Sequence, residues 1–219
     1  MGFDRIAIKE KSKKIIFSDL TKVIIIGIVV SAVGGNVPFV TFPTTVSIIL
    51  GIVSSILSFG LAKFSLNKIR GQEANVEDVT YGFNYAGKII IMSIVTTVLT
   101  SIGFALFIIP GIILTMMFSM STFILVDDPT KSIDQCLKES KDLVYGVKGD
   151  LFIFYLSFAG WAILSSLLFG IGYFLLTPYI VLSEAQIYLK LKGLGQEDDT
   201  ISYTENDPYG NSDSFYLKK

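Results

Sequence analysis

The charged residues of this chain fall in short stretches, and long apolar blocks separate them. Between residues 89 and 126 there is no Asp, Glu, Lys or Arg. One helix over those 38 residues would be about 57 Å long at 1.5 Å per residue. The hydrocarbon core of a bilayer is about 30 Å thick, and tilt does not absorb such an excess. The block must therefore break, and Pro110-Gly111 offers the place. Proline suits the first turn of a following helix, and glycine permits a tight reversal. Two crossings result, near 89–109 and 111–126.

The same arithmetic divides the run from 151 to 189 at Gly170-Ile171-Gly172, giving crossings near 151–169 and 172–190. Pro178 then lies inside the later helix and should kink it. Upstream, 15–35 and 44–62 form two more apolar segments, with Pro38 and Pro43 in the turn between them. The pattern predicts an all-α integral membrane protein with six transmembrane helices, paired as three hairpins. One transmembrane domain covers 1–192. Residues 193–219 are polar and acidic, with Glu197, Asp198, Asp199, Glu205, Asp207 and Asp213, and read as a disordered cytoplasmic tail.

Basic residues give an independent check on the count. Arg5, Lys9, Lys11, Lys13, Lys14 and Lys22 surround the start of the first segment. Lys63, Lys68, Arg70 and Lys88 lie between the second and third, and Lys131, Lys138, Lys141 and Lys148 between the fourth and fifth. Lys190, Lys192, Lys218 and Lys219 follow the sixth. With six crossings all 18 basic residues share one side, and by the positive-inside rule that side is cytoplasmic, as are both termini. Losing the reversal at Pro110 or Gly170 would scatter them over both sides. The basic start followed by "SAVGG" also has the outline of a cleaved signal. The apolar segment is long for a signal core, however, and its loss would break the pattern.

Composition agrees. The chain is 51% hydrophobic and 17% charged, with a mean hydropathy of +0.62, against roughly 25% charged residues in soluble domains. Histidine is absent and Cys136 is the sole cysteine. This excludes an intramolecular disulfide, Cys/His metal sites and His-dependent triads. Paired intramembrane carboxylates, a nucleophile with a base, and a phosphate loop are also missing from the sequence. No cofactor, enzymatic activity or nucleic-acid partner is expected.

Between the hairpins lie amphipathic cytoplasmic segments. The clearest is "SIDQCLKESKDLVYG", residues 132–146. There Ile133, Cys136, Leu137, Ser140, Leu143 and Val144 share one face, Asp134–Lys138 and Lys138–Asp142 are opposite charges four apart, and Gly146 is a stop. It reads first as a surface helix packed under the bundle, and second as an interfacial sensor of lipid or a partner. "VEDVTYGFNYAGK" and "IAIKEKSKKIIF" hold matching places before the third and first crossings, which suggests a degenerate threefold repeat. Asp128 or Thr130 is expected to cap the cytoplasmic helix.

Small residues recur four apart in the first hairpin, as Gly27, Ser31 and Gly35 and as Ser47, Gly51 and Ser55. Such spacing lets helices approach closely, and it is expected to pack these two crossings together or, more sharply, two copies of the chain. Glu184 is the one acid well inside a segment, about 9 Å along the helix from Lys190. It is the candidate functional carboxylate, although it lies within reach of the cytoplasmic interface. Asp19 and Lys22 are expected to pair at that interface.

Several short pieces recur in a known order: Gly82-Phe83, Pro110-Gly111-Ile112, Phe118-Ser119-Met120, Asp127-Asp128-Pro129, Ser140, Gly146, Lys148 and Leu151-Phe152. Residues 157–161 (SFAGW), Gly170-Ile171-Gly172 and Pro178-Tyr179 complete the set. In this order they resemble the bacterial integral membrane proteins of the family "domain of unknown function 975", over about residues 80–190. An aromatic pair usual near the end of the last helix is Ile187-Tyr188 here. The resemblance implies a multi-pass protein of the bacterial cytoplasmic membrane and supplies no activity. The expected function is a non-enzymatic component of the bacterial envelope that binds or organises lipids or partners, including other membrane proteins or a second copy. The alternative is a transporter or an immunity or export accessory factor handling peptides or lipids.

Overall fold

The computed structural model describes residues 5–18, 20–33, 43–167 and 172–193. Among them the chain is helical throughout, with no strand. The α-helices are α1 (Arg5–Ser18), α2 (Leu20–Val33), α3 (Thr44–Ile69), α4 (Ala86–Leu106), α5 (Ile108–Phe118), α6 (Ser121–Asp127), α7 (Ile133–Val144), α8 (Lys148–Leu167) and α9 (Tyr173–Leu191). A 3-10 helix, Val76–Tyr85, leads into α4.

Among the described residues three helical runs are long and apolar enough to cross a membrane: Thr44–Ile69, Val76–Leu106 and Ile108–Asp127. A fourth is reached if α7 and α8, bent by 92°, are taken as one span. Their apolar side chains are turned largely outward. Only 17% of the apolar window in Val76–Leu106 is buried, and Ile91, Ile94, Val98, Ile102, Ile153, Trp161 and Ile163 are all more than half exposed or nearly so. A water-soluble protein rarely carries so continuous an apolar surface. The surface is suited to membrane association.

The reversal expected at Pro110-Gly111 sits at Phe107, whose extended backbone (φ −163, ψ 157) separates α4 from α5. Pro110 occupies the first turn of α5, where its missing N–H leaves no helical bond unmade. Gly111 is helical and buried, and its role is proximity. A Cβ there would lie 2.4 Å from the Phe104 ring, and one on Gly103 would lie 3.0 Å from the Gly111 Cα. The two glycines let α4 and α5 pack as a close antiparallel pair.

The segment 15–35 is not one helix. Its first residues belong to α1, and α2 has only 14 residues, about 21 Å of rise. α1 makes polar contacts with helices far along the chain. The buried Ser12 hydroxyl meets Ser183 Oγ at 2.8 Å and accepts from Gln186 Nε2 at 2.6 Å, both on α9. Lys9 reaches Ser157 and lies over the Phe158 ring of α8, 4.4 Å from its centroid.

α2 and α3 pack through apolar side chains, with Val23 and Ile26 against Leu57, Leu61 and Phe64. Gly27 is buried, but Ser47 and Gly51 are exposed, and a Cβ on Gly51 would meet nothing within 4 Å. Close approach on α3 occurs instead at Gly60, where a Cβ would overlap the Val79 carbonyl. Gly82 does the same against the Ile56 carbonyl. The 3-10 helix is thereby seated on α3. Gly35, Asp19, Gly170, the tail beyond residue 193 and the Ser31 side chain lie outside the described residues.

Candidate functional site

Two polar regions stand at different depths. The shallower joins the helix ends rich in basic residues. Asp127, the last residue of α6, receives Arg70 Nη2 at 2.6 Å, Lys192 Nζ at 2.8 Å and the Tyr188 hydroxyl at 3.0 Å. Lys192 also approaches Glu139 of α7 at 3.9 Å, and Glu139 pairs with Lys131. Lys88 donates to the carbonyls of Pro129 at 2.6 Å and Lys131 at 3.3 Å. Lys22, expected beside Asp19, donates to the Ala74 carbonyl at 3.3 Å. The start of α2, the end of α3, the start of α4, the end of α6 and the end of α9 are thus tied together.

α7 lies beneath this network. Ser132, and neither Asp128 nor Thr130, caps it: its hydroxyl accepts from the Gln135 N–H while Gln135 Oε1 accepts from the Ser132 N–H. Asp128 instead closes a local turn, accepting from the Thr130 N–H and hydroxyl, which hold its carboxyl below the ordinary value. Asp134 and Lys138 pair at 2.7 Å, raising the Lys138 pKa. Gly146 ends the segment with φ +90, a conformation that glycine adopts without strain. Cys136 and Ser140 are fully buried, and the Ser140 hydroxyl donates to the Met117 carbonyl of α5 at 2.7 Å. Burial pushes the Cys136 thiol up.

The deeper region contains Glu184. Its partner is Tyr155 of α8, whose hydroxyl donates to Glu184 Oε1 at 2.8 Å. Ser119, at the junction of α5 and α6, is within hydrogen-bonding reach of the same Tyr155 hydroxyl. Counted from the ends of their helices, Glu184, Tyr155 and Ser119 lie seven to eight residues in, roughly 11 Å of rise. Tyr155 and Glu184 are joined by a hydrogen bond, and Ser119 stands beside Tyr155.

Ser119 also lines a groove of about 430 Å³ between α3, α4 and the α5–α6 run. α3 contributes Ser55 and Ser58, α4 contributes Ser93, Thr96, Thr97 and Thr100, and Thr115, Ser121 and Thr122 complete the polar lining. No lining residue is charged. Sequence reading singled out Glu184 and Ser55 but passed over Tyr155 and the α4 hydroxyls. The signal was available in α4, where 93, 96, 97 and 100 fall on one helical face. Pro178 lies inside α9, and Gly172 precedes it against Ser165, whose Oγ is 2.3 Å from where a Cβ would stand. Among the described residues no cluster of His, Cys, Asp and Glu has the makings of a metal site.

Neither the curated proteins nor the solved structures contain a match to this chain. A family model does match. Residues 104–195, from the end of α4 through α9, are similar to the family described as "Protein of unknown function (DUF975)", so the match includes Ser119, Asp127, Tyr155 and Glu184 and begins after Gly82-Phe83.

Proposed function

We propose that the chain is a six-crossing protein of the bacterial cytoplasmic membrane that binds membrane lipids or partner proteins and catalyses no reaction. The crossings are α2, α3, α4, α5–α6, α8 and α9 with their adjoining residues, arranged as three hairpins with the basic ends in the cytoplasm. The observation that carries the topology is the bonded network at one end. Lys22, Arg70, Lys88 and Lys192 come from four helix ends or their connections and each makes a bond to a neighbouring segment there, where the positive-inside rule wants them. The binding function is supported by the groove at membrane depth, whose size is that of a ligand site.

Two measurements test this. In a Cys136→Ser background, a cysteine at Phe107 should react with an impermeant external reagent, and one at Gln72 only after the cytoplasmic face is opened. The reverse pattern refutes the orientation. Protein purified from native membranes should retain a defined lipid or protein at fixed stoichiometry, and purification with neither would defeat the binding function. A second reading, coupled transport of a membrane-borne solute, is favoured by the Glu184–Tyr155 pair beside Ser119 of the groove, because an intramembrane acid near a cavity is a feature of proton-coupled carriers. Saturable, pH-gradient-dependent uptake by reconstituted protein, abolished in Glu184→Gln, would select it.

A further inference from the structure

Six of the ten hydroxyls that line the groove have their protons already placed. Ser55 donates to the Ile52 carbonyl at 2.7 Å and Thr96 to Met92 at 2.8 Å. Thr100 donates to Thr96 at 2.8 Å and Thr115 to Gly111 at 2.9 Å. Ser119 donates to Met116 at 2.8 Å, and Ser121 to Phe118 at 2.6 Å. A carbonyl oxygen only accepts, so in each pair the hydroxyl must be the donor. What these six side chains can offer a ligand is therefore a lone pair.

Back-bonding of this kind is common for Ser and Thr in apolar helices, and alone it implies no ligand. Convergence is the additional fact. Hydroxyls from α3, α4 and the α5–α6 run border one space of about 430 Å³. That far exceeds a packing defect, since a water molecule takes about 30 Å³ of liquid volume. One of the six, Ser119, is within reach of Tyr155, which holds the Glu184 carboxyl. Six hydroxyls of the lining thus offer acceptors, and an acid is held by Tyr155 on the side of Ser119. On α4, Ile94 and Val98 continue as exposed apolar surface beside Thr97.

We propose that this groove binds the primary ammonium head of an amphiphilic amine. Its N–H donors would meet the hydroxyl lone pairs of Ser55, Thr96, Thr100 and Thr115. Its charge would be balanced by Glu184 through Tyr155, and its alkyl chain would lie along the apolar flank of α4. Glu184 is then a positioning residue and not a direct ligand. The inference rests on the binding function above and gives it a ligand class.

The test uses the full chain in phosphatidylcholine nanodiscs, with empty discs as the partition control. Decylammonium, decyltrimethylammonium and decanol are compared by equilibrium dialysis. The first has both charge and donors, the second charge without donors, and the third a donor without charge. Decylammonium should bind saturably and about tenfold more tightly than either of the others, a ratio in line with loss of one or two satisfied hydrogen bonds. Thr96→Val with Thr100→Val keeps the shape and removes two acceptors. It should weaken decylammonium about tenfold and leave decyltrimethylammonium unchanged, at an unaltered melting temperature. Should that pair not fold, Ser55→Ala, on a different helix, should give a smaller loss with the same selectivity. Glu184→Gln should weaken both ammonium probes and spare decanol. Equal binding of the three probes, binding no greater than in empty discs, or valine variants that bind as the parent does would each overturn the proposal. A native lipid or partner that still co-purifies in that event keeps the binding function, and loss of both removes it.

Discussion

At the basic end of the helices, polar side chains reach across to neighbouring helices, whereas around the groove they turn back on their own. Asp127 holds residues from α3's end and α9's end with short charge-assisted bonds. Six groove hydroxyls donate to carbonyls of their own segments. The α4–α5 contact depends instead on Gly103 and Gly111 fitting closely. One region is fastened by specific bonds and the other by shape. For the binding function proposed above, such an arrangement would keep the helices together at one end while leaving the other free to open.

If that contrast is right, the largest single effect should come from the fastened end. Asp127→Ala would leave Arg70 and Lys192 facing each other without the carboxylate between them. Removing one partner of a buried ion pair costs about 3–5 kcal/mol. The side chains here keep 14% exposure for Asp127 and 25–27% for the two bases, so the low end, about 3 kcal/mol, is expected. For a chain of this size that corresponds to a fall in melting temperature of roughly 6–12 °C, measurable by fluorescence-detected size exclusion after heating. Asp128→Ala, which removes only an exposed local turn, should shift it far less. Equal shifts would mean that the network does not fasten the helices.

The second effect sharpens the other half of the contrast. Gly111→Leu puts a side chain where the Phe104 ring already lies, with the first added atom 2.4 Å away. Overpacking of this sort costs about 1–3 kcal/mol. Pro110→Ala should be nearly neutral, because the residue lies in the first turn and the reversal is made at Phe107. If the two substitutions behave alike, the hairpin is held by its turn and not by its close contact.

How much of this was legible follows the range of each interaction. Helical blocks and the amphipathic α7 were readable because apolar periodicity is local, whereas the cap fell on Ser132 and not on Asp128 or Thr130. Pro110 was recognised as a first-turn residue for the same reason. Gly111 was legible as a special position, but its purpose depends on the Phe104 ring of the facing helix. The contacts of α1 with α9 were hidden because Ser12 bonds residues more than 170 positions along the chain. Glu184 stood out as a lone acid, yet Tyr155 looked like any aromatic residue in an apolar run until α8 was laid beside α9. The groove was half visible: α4 showed its hydroxyl face, while nothing local indicated that α3 and α5 would bring theirs to it.

The smallest effect is a rate, and it probes the connection between the two regions. α7 is fixed from both sides, by Glu139 toward Lys192 and by Ser140 toward the Met117 carbonyl near the groove. Cys136 lies on the buried face between them and has no exposure. Burial raises its pKa, so at neutral pH only a small fraction is thiolate, the form that reacts. N-ethylmaleimide should therefore modify the native protein slowly. Below the raised pKa the rate should climb with pH in proportion to the thiolate fraction, about tenfold per unit. In Asp127→Ala, Lys192 loses its main partner and Glu139 is held less firmly, so α7 should lift more often and the rate should rise several-fold. Ser140→Ala frees α7 on the groove side and should give a smaller rise. Mass spectrometry of timed samples measures both. An unchanged rate in Asp127→Ala, in protein whose melting temperature has fallen, would show that α7 is anchored from the groove side alone.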